Sequence, residues 1–216
     1  MRIVEASDRS VLVVFGEEIS RAAHRDVLRL TPRLAAAPGV LNVHPAYASI
    51  LVEFDPLHVT HSAMERAVAE MYEQCASEPL PVPRLVEISV CYGGEYGPDL
   101  QDVASVNSLT VDQVIATHSG GDYLVYFLGF SPGFPYLGGM PESIATPRLA
   151  VPRRSVPAGS VAIGGRQTGV YPLASPGGWR IIGRTPLRLF QPEADPPALL
   201  RMGDHVRFVP ITRDDF

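Results

Sequence analysis

The segment from Phe127 to Gly139 has the residue types best suited to forming a binding or reaction site. It contains four glycines, two prolines, four aromatic residues, one serine and no charge. Because proline lacks a backbone donor and glycine is unfavourable within helices and strands, this composition predicts a shaped apolar loop rather than a regular element. Loops held on a rigid scaffold often carry binding and catalytic groups.

Within this loop, residues 129–133 match the G-x-S-x-G pattern of a serine nucleophile elbow. The residue after such a nucleophile must donate its N–H group to the oxyanion. Here that residue is Pro132, which has no N–H group. The strand and helix alternation of α/β-hydrolases is also missing. We therefore predict that Ser131 is not a nucleophile.

Three histidines are candidates for chemistry or metal binding. His58 and His61 are close in sequence, but no third ligand is placed beside them, so they are predicted to be solvated or capping residues. His118 precedes Gly120-Gly121 shortly before the apolar loop. It is a candidate functional residue, although a histidine at a helix C-terminus can also simply interact with the helix dipole.

Polar groups that could contact a ligand follow the apolar loop. Arg153-Arg154 lies in a segment bounded by Pro152 and Gly159, where paired guanidinium groups could bind a carboxylate or a phosphate. An ordinary surface role for these arginines stays open. Further on, residues 167–172 and 175–180 add an amide, hydroxyls, aromatic rings and another arginine. This density exceeds what turn formation alone requires.

The composition excludes several kinds of site. All 18 basic residues are arginine, so a P-loop lysine, a lysine Schiff base and a biotinyl- or lipoyl-lysine cannot occur on this chain. A net charge of −5 and the lack of a basic stripe predict no nucleic-acid partner. Short apolar runs and no visible signal peptide predict a cytoplasmic protein without a membrane partner, in which Cys75 and Cys91 are reduced thiols.

The distribution of glycine indicates two parts built differently. Only Gly16 and Gly39 precede residue 90, among 19 glycines in total. The proline-containing segment 77–83 is a candidate linker. We therefore predict one domain at residues 1–80 and a second at residues 84–216.

The first part has the pattern of a small α+β domain. Hydrophobic alternation predicts strands at residues 2–6, 11–15, 40–47 and 49–54. Helical periodicity predicts helices at 18–30 and 60–74, with Ile19 and Ala22 on the apolar face of the first. Thr31-Pro32 is predicted to start a separate short helix. Strands interleaved with two helices indicate a ferredoxin-like layer.

The second part is predicted to be mostly β. A strand at 85–91, helices at 99–106 and 110–118 and a strand at 123–128 precede the apolar loop. Short strands separated by glycine and proline follow at 160–163, 169–171, 179–182, 187–190 and 205–209. This pattern is typical of a barrel or a sandwich.

Seven motifs of the second part resemble, in the same order, those of the family called allophanate hydrolase subunit 1. They are Tyr92–Gly94, Gly97–Leu100, Gly129–Gly139, Val156–Val161, Gln167–Pro172, Ser175–Trp179 and Ile182–Pro186. The family includes the sporulation-kinase inhibitor KipI and the B subunit of bacterial 5-oxoprolinase. The N-terminal part also fits the family layout, so the resemblance covers nearly the whole chain.

The resemblance implies an α+β fold in which a cyclophilin-like β-barrel follows a ferredoxin-like domain. It implies a subunit of an ATP-dependent 5-oxoprolinase complex that opens 5-oxoproline to L-glutamate, with ATP and Mg²⁺ bound in the complex. The implied partners are the homologous allophanate hydrolase subunit 2, which is the C subunit of 5-oxoprolinase, and the LamB/YcsF-type A subunit. Since the chain lacks a self-sufficient nucleotide site, we expect a shared site and an inactive isolated chain.

Site residues can be transferred from the resemblance one by one. The implied catalytic residues are His118, Arg154 and Gln167. The implied substrate-binding residues are Phe130, Pro132, Phe134, Tyr136, Thr168 and Tyr171, and no metal ligand is implied. Two other functions use the same fold: inhibition of a sensor histidine kinase without chemistry, and a role within urea carboxylase or allophanate metabolism.

Overall fold

A computed structural model describes residues 1–216, and the chain forms two compact units, Met1–Val82 and Pro83–Phe216. The first unit is a four-stranded antiparallel sheet with two helices, and the second is built around a closed β-barrel. The predicted α+β class is therefore confirmed. No helix has both the length and the apolar character needed to cross a membrane.

The first unit contains a split β-α-β arrangement. Its elements in chain order are β1 (Arg2–Ser7), β2 (Ser10–Val14), α1 (Arg21–Ala35), β3 (Val40–Pro45), β4 (Ser49–Phe54) and α2 (His61–Cys75). The sheet order is β1-β2-β4-β3. Because β4 is antiparallel to both β2 and β3, those two strands run parallel and are joined through α1. This is the connection found in ferredoxin-like layers.

Helix α1 begins later than its apolar pattern predicts. Ser20 is the N-cap, and its hydroxyl accepts a hydrogen bond from the backbone N–H of Ala23 at 3.1 Å. Ile19 therefore precedes the helix and is 56% exposed. Ala22 is also exposed, so the prediction that these two residues face the core was wrong. A good N-cap outweighed the apolar periodicity.

The predicted break at Thr31-Pro32 was also wrong, because α1 continues through Pro32 to Ala35. Proline cannot donate the next helical hydrogen bond. The helix nevertheless continues because Leu30 and Leu34, on either side of the proline, are completely buried. The hydroxyl of Thr31 also donates to the carbonyl of Val27 at 2.7 Å. Tertiary packing here overrides the local propensity.

The second unit begins with β5 and two helices and then consists mainly of short strands. The elements are β5 (Leu85–Tyr92), α3 (Leu100–Val106), α4 (Val111–Ser119), β6 (Tyr123–Leu128), β7 (Pro135–Gly138), a 3₁₀ turn (Glu142–Ile144), β8 (Arg153–Val156), β9 (Ser160–Gly164), β10 (Gln167–Val170), β11 (Ser175–Gly177), β12 (Arg180–Arg184) and β13 (His205–Pro210). Seven strands close a barrel in the order β10-β7-β6-β13-β5-β12-β9, and β8 pairs separately with β11.

Side-chain alternation along the barrel strands separates two apolar clusters. On β9, Val161 and Ile163 belong to the main core, whereas Ala162 belongs to a smaller cluster. On β12, Ile182 and Ile181 divide in the same way. Because neighbouring residues of a strand point to opposite faces, the main core fills the barrel and the smaller cluster lies on its outer face.

The strand predictions in this unit were partly wrong. Residues 187–190 form no strand, and Phe190 makes only an isolated bridge to Ala198. Conversely, β7, β8 and β11 lie in segments that were predicted to be irregular. Pro135 is the first residue of β7, a position at which a strand tolerates a missing donor.

Candidate functional site

An open groove with a volume of about 340 Å³ lies on the second unit, and its walls are mainly aromatic. Phe130, Phe134, Tyr136, Tyr171 and Trp179 line it, together with Arg148, two prolines and two glycines. The buried members of this set belong to the cluster on the outer face of the barrel. The groove therefore lies outside the barrel, against β9, β10 and β12.

Phe134 is the centre of the aromatic cluster. Its ring makes edge-to-face contacts with Phe130 at 5.4 Å, with Tyr136 at 5.4 Å, with Tyr171 at 5.5 Å and with Trp179 at 5.8 Å. This is the preferred geometry for aromatic pairs. Phe134, Tyr171 and Trp179 are each at most 7% exposed. The inner wall of the groove is therefore formed by closely packed rings without any ligand present.

Glycines allow these rings to lie directly against the backbone. A Cβ atom at Gly164 would come within 2.5 Å of the Trp179 ring, and one at Gly177 within 2.5 Å of the Tyr171 hydroxyl. Any side chain at these positions would therefore displace a ring of the groove. Close contact with aromatic rings explains why both positions hold glycine.

Arg148 is the only charged residue that lines the groove. Its guanidinium carbon lies 5.8 Å from the centre of the Trp179 ring, a cation–π distance. Its side chain is exposed, and no carboxylate of the chain forms an ion pair with it. The groove thus offers aromatic faces and one available guanidinium, which suits a small ligand with a flat body and an acidic group.

A strained turn places Phe130 at the mouth of the groove. Phe130 has a φ of 67° and is 65% exposed, although a bulky residue rarely adopts a positive φ. Three backbone hydrogen bonds hold the turn: Gly129 N–H to Phe134 O at 3.0 Å, Ser131 N–H to Gly129 O at 2.8 Å and Phe134 N–H to Ser131 O at 3.0 Å. The turn presents the Phe130 ring outwards as an exposed apolar tip.

The serine and proline of this turn do not line the aromatic groove. The hydroxyl oxygen of Ser131 is buried and has no hydrogen-bond partner, so no base is hydrogen-bonded to it. Pro132 lines a separate shallow cavity formed by the loop itself, residues 128–133. Of the predicted substrate-binding residues, the structure brings Phe130, Phe134, Tyr136 and Tyr171 together in the groove and places Pro132 outside it.

His118 and Thr168 lie inside the barrel and are completely buried. His118 Nε2 is 2.8 Å from Thr168 Oγ1, and His118 Nδ1 is 2.8 Å from the hydroxyl of Tyr92. Thr168 Oγ1 in turn donates to the carbonyl of Ala162 at 3.0 Å. Thr168 must therefore accept the proton on Nε2, and Tyr92 must donate to Nδ1.

Burial keeps the imidazole of His118 neutral. Burial lowers the pKa of His118 to about 3 and raises the pKa of Tyr92, so the imidazole is uncharged and the phenol is protonated. The rings of Phe208 and Tyr123 also contact the imidazole. His118 and Thr168 are thus core residues that no ligand in the groove can touch directly.

Arg154 and Gln167 are the other two predicted site residues. Arg154 is exposed on β8, and Gln167 is half-buried at the start of β10, but neither lines the groove. The neighbouring Arg153 donates to Asp99 at 2.7 Å, and the other oxygen of Asp99 accepts from Ile181 N–H at 2.7 Å. Arg153 therefore fixes β8 to the barrel.

Arg148 was not predicted as a groove residue from the sequence, and Trp179 was named only within a motif. The only tryptophan of the chain, within a run of glycines, was a usable signal for Trp179. Arg148 had no comparable signal, because it follows Pro147 in an ordinary loop. His58 and His61 contact Asp55 and the Ser7 carbonyl respectively, each at 2.8 Å, far in sequence from the groove residues.

Comparison with known proteins identifies relatives along the whole chain. The family model described as carboxyltransferase domain, subdomain C and D, matches residues 1–200. The chain is 44% identical to the B subunit of 5-oxoprolinase from Bacillus subtilis, covering 100% of this chain and 95% of that protein. It is 48% identical to the B subunit of 5-oxoprolinase from Escherichia coli O157:H7, covering 94% and 93% of the two chains.

Solved structures agree with this assignment. The crystal structure of TTHA0988 matches with a TM-score of 0.84 and 40% identity, covering 94% of this chain and 40% of that chain. PH0987 from Pyrococcus horikoshii matches with a TM-score of 0.60 and 46% identity over 99% of both chains. The Kluyveromyces lactis urea carboxylase shares the fold, with a TM-score of 0.76 at 21% identity, covering 99% of this chain and 22% of that one. The chain therefore belongs to the family of carboxyltransferase domains, subdomain C and D, and is similar to the B subunit of bacterial 5-oxoprolinases.

Proposed function

We propose that this protein is a subunit of an ATP-dependent 5-oxoprolinase complex that opens 5-oxoproline to L-glutamate. The observation that carries the proposal is the identity of 44%, over the full length of this chain, to a protein named as the B subunit of 5-oxoprolinase. The matched region includes every residue of the aromatic groove. Because ATP is required, we expect the complex to act in the cytoplasm.

The groove has the chemistry that a lactam acid needs. 5-Oxoproline is a small flat ring that carries one carboxylate, so its ring can lie against aromatic walls while its carboxylate pairs with a guanidinium. Arg148 is the guanidinium placed for this role, beside Trp179. In our proposal Arg148 therefore holds the carboxylate, and Phe134 and Tyr171 exclude water from one face of the ring.

We propose that this chain does not form a complete ATP–Mg²⁺ site by itself. It has no lysine, the groove has no carboxylate, and no group of three or more histidine, cysteine or acidic residues could hold a metal ion. An unstrained lactam resists hydrolysis, and ATP supplies the phosphoryl group that activates the amide carbonyl. We propose that ATP and Mg²⁺ are held chiefly by other subunits.

We further propose that a homologous partner, of the allophanate hydrolase subunit 2 type, closes the groove, and that a LamB/YcsF-type protein completes the complex. Three features support this arrangement. The groove is open, Phe130 is exposed at its mouth, and the groove lining has no aspartate, glutamate, histidine or lysine. In addition, the region similar to this chain is only 40% of TTHA0988.

His118 and Thr168 have a positioning role in this proposal. They connect α4 to the inner side of β10, and the outer side of β10 supports the groove at Gly169, close to Phe134 and Trp179. Arg154 lies on β8 and Gln167 on β10, but neither residue lines the groove. We therefore propose that Arg148, rather than Arg154, binds the substrate carboxylate.

The proposal is tested by reconstitution. The chain is expressed alone and together with its homologous partner and the LamB/YcsF-type protein, and ATP-dependent glutamate formation from 5-oxoproline is measured. We expect copurification of the three proteins and activity only when all are present. Full activity of the isolated chain would refute the shared site. ATP-dependent activity with urea instead, or inhibition of a histidine kinase without hydrolysis, would favour the other two functions.

A further inference from the structure

A second cavity of about 300 Å³ lies on the barrel unit and shares no lining residue with the aromatic groove. It forms where the turn before β9, the segment after β10 and the segment 184–188 meet the C-terminal Phe216. Two of the seven sequence motifs, Val156–Val161 and Ile182–Pro186, supply most of its lining. None of the residues that line this cavity also lines the aromatic groove.

The cavity lining holds two guanidinium groups and no acidic side chain. Arg184 and Arg188 both line it, no aspartate or glutamate does, and neither arginine forms an ion pair. Arg184 is half-buried, and its Nε donates to the carbonyl of Ala158 at 3.0 Å. That bond fixes the guanidinium plane and leaves both terminal amino groups available to donate to a pair of ligand oxygens.

A tightly held backbone forms the floor of the cavity. Gly159 has a φ of 81°, and a Cβ atom there would overlap the carbonyl of Thr185. Thr185 N–H donates to Gly159 O at 2.9 Å, and Gly159 N–H donates to Tyr171 O at 2.7 Å. Thr185 is 3% exposed, and its hydroxyl accepts from Leu187 N–H at 3.2 Å, which leaves the hydroxyl proton free to donate.

The other side chains of the cavity lining are apolar. Pro172, Pro186 and Leu187 line it, together with Phe216, whose ring stacks on Tyr96 with a centroid distance of 4.2 Å. A cavity lined by two guanidinium groups, one hydroxyl and several apolar side chains suits a small molecule with one oxyanion group and a short hydrocarbon part.

We propose that this cavity binds a small oxyanion ligand, with its carboxylate or phosphate group held by Arg184 and Arg188 beside the hydroxyl of Thr185. The proposal does not depend on the 5-oxoprolinase assignment, because it concerns a separate cavity of the isolated chain. A guanidinium group can bind two oxygens of either a carboxylate or a phosphate. The experiment must therefore distinguish carboxylate ligands from phosphate ligands.

The test is a titration of the full chain, labelled with ¹⁵N, by NMR at constant ionic strength. Sodium phosphate is the probe in one series and sodium glutarate in the other. We expect saturable shifts of the Arg184 Nε–H signal and of the Gly159 and Thr185 amides. Saturation by phosphate alone supports a phosphate site, saturation by glutarate alone supports a carboxylate site, and saturation by both supports the shared chemistry.

Variants show whether the two arginines are responsible. Arg184→Gln and Arg188→Gln are each expected to raise Kd by about tenfold or more, since each removes a charged hydrogen bond to the ligand. Arg207→Gln is the matched control, because Arg207 is an exposed arginine on β13 that forms an ion pair with Glu87 and does not line the cavity. Arg188 makes no hydrogen bond that the fold needs, so its variant remains informative if Arg184→Gln does not fold. The proposal is overturned if neither anion shifts these signals, or if Arg188→Gln binds as tightly as the control.

Discussion

The Nε2 atom of His118 lies 2.8 Å from the Oγ1 atom of Thr168, and this contact connects helix α4 to the inner side of strand β10. On the opposite side of β10, Gly169 lies against the rings of Phe134 and Trp179. The buried hydrogen bonds of His118 and the aromatic groove therefore lie on opposite sides of one strand. His118 and Thr168 do not reach the groove themselves, so they influence it through the position of β10.

The first prediction concerns the hydrogen bond itself. Thr168→Val keeps the side-chain shape but leaves the Nε2 proton of His118 buried without an acceptor. We expect the free energy of unfolding to fall by about 1–3 kcal/mol, measured by urea denaturation. Thr117→Val, on the same helix as His118, is the control, because its hydroxyl makes no side-chain hydrogen bond. Equal losses in the two variants would contradict the importance of this bond.

The second prediction is a loss of stability in acid. Burial lowers the pKa of His118 to about 3 and that of His24 to about 4, whereas an unfolded imidazole titrates at about 6.5. Between these values the unfolded chain binds more protons than the folded chain. The free energy of unfolding should therefore fall as the pH drops below about 6.5 and rise again as the pH increases.

Histidine NMR signals measure this directly. We expect the imidazole of His118 to remain neutral on titration down to pH values near 4, for as long as the protein stays folded. Titration of that ring near pH 6.5 in the folded protein would show that the imidazole is exposed to solvent, and the buried network described above would be incorrect.

The third prediction concerns the floor of the groove. Gly164→Ala places a Cβ atom within 2.5 Å of the Trp179 ring and must displace it. We expect a shift in tryptophan fluorescence, which reports on this ring alone because the chain has one tryptophan. We also expect a loss of about 1–3 kcal/mol in the free energy of unfolding.

Gly178→Ala is the control for this experiment. Its Cβ atom would meet only ordinary contacts, with the Pro152 ring at 3.6 Å, and Gly178 does not have a positive φ. Its free energy of unfolding should therefore stay within about 0.5 kcal/mol of the unmodified protein. A smaller effect at Gly164 than at Gly178 would mean that Trp179 does not rest on β9.

Much of the fold could be predicted from the sequence because local signals and burial agreed. Thr60 and Thr110, the residues at which two of the predicted helices begin, are the N-caps of α2 and α4, and alternating apolar residues located most strands. The errors arose where tertiary contacts decided the outcome. Pro32 stays within α1 because buried leucines hold both sides of it, and Phe190 lacks a neighbouring strand to extend its single bridge.

The groove could be predicted only in part. Its aromatic residues were recognisable from the glycine and proline motifs, since rings packed on glycine need both residue types. The sequence did not show that Thr168 faces the barrel interior whereas the adjacent Gly169 faces the groove, because this depends on which face of β10 points into the barrel. Arg148 joins the groove through the cation–π contact with Trp179, a residue 31 positions away, and no local pattern reports such a contact.

The central claim is that the groove beside Arg148 binds the substrate in the assembled complex, and kcat/KM for 5-oxoproline in the reconstituted complex tests it most directly. We predict that Arg148→Ala lowers kcat/KM by about tenfold or more, at least roughly 1.4 kcal/mol. Arg154→Ala and the exposed control Arg166→Ala, both outside the groove, should stay within about twofold, roughly 0.4 kcal/mol. An Arg148→Ala complex that retains kcat/KM within about twofold, or a larger loss in Arg154→Ala than in Arg148→Ala, would contradict the account.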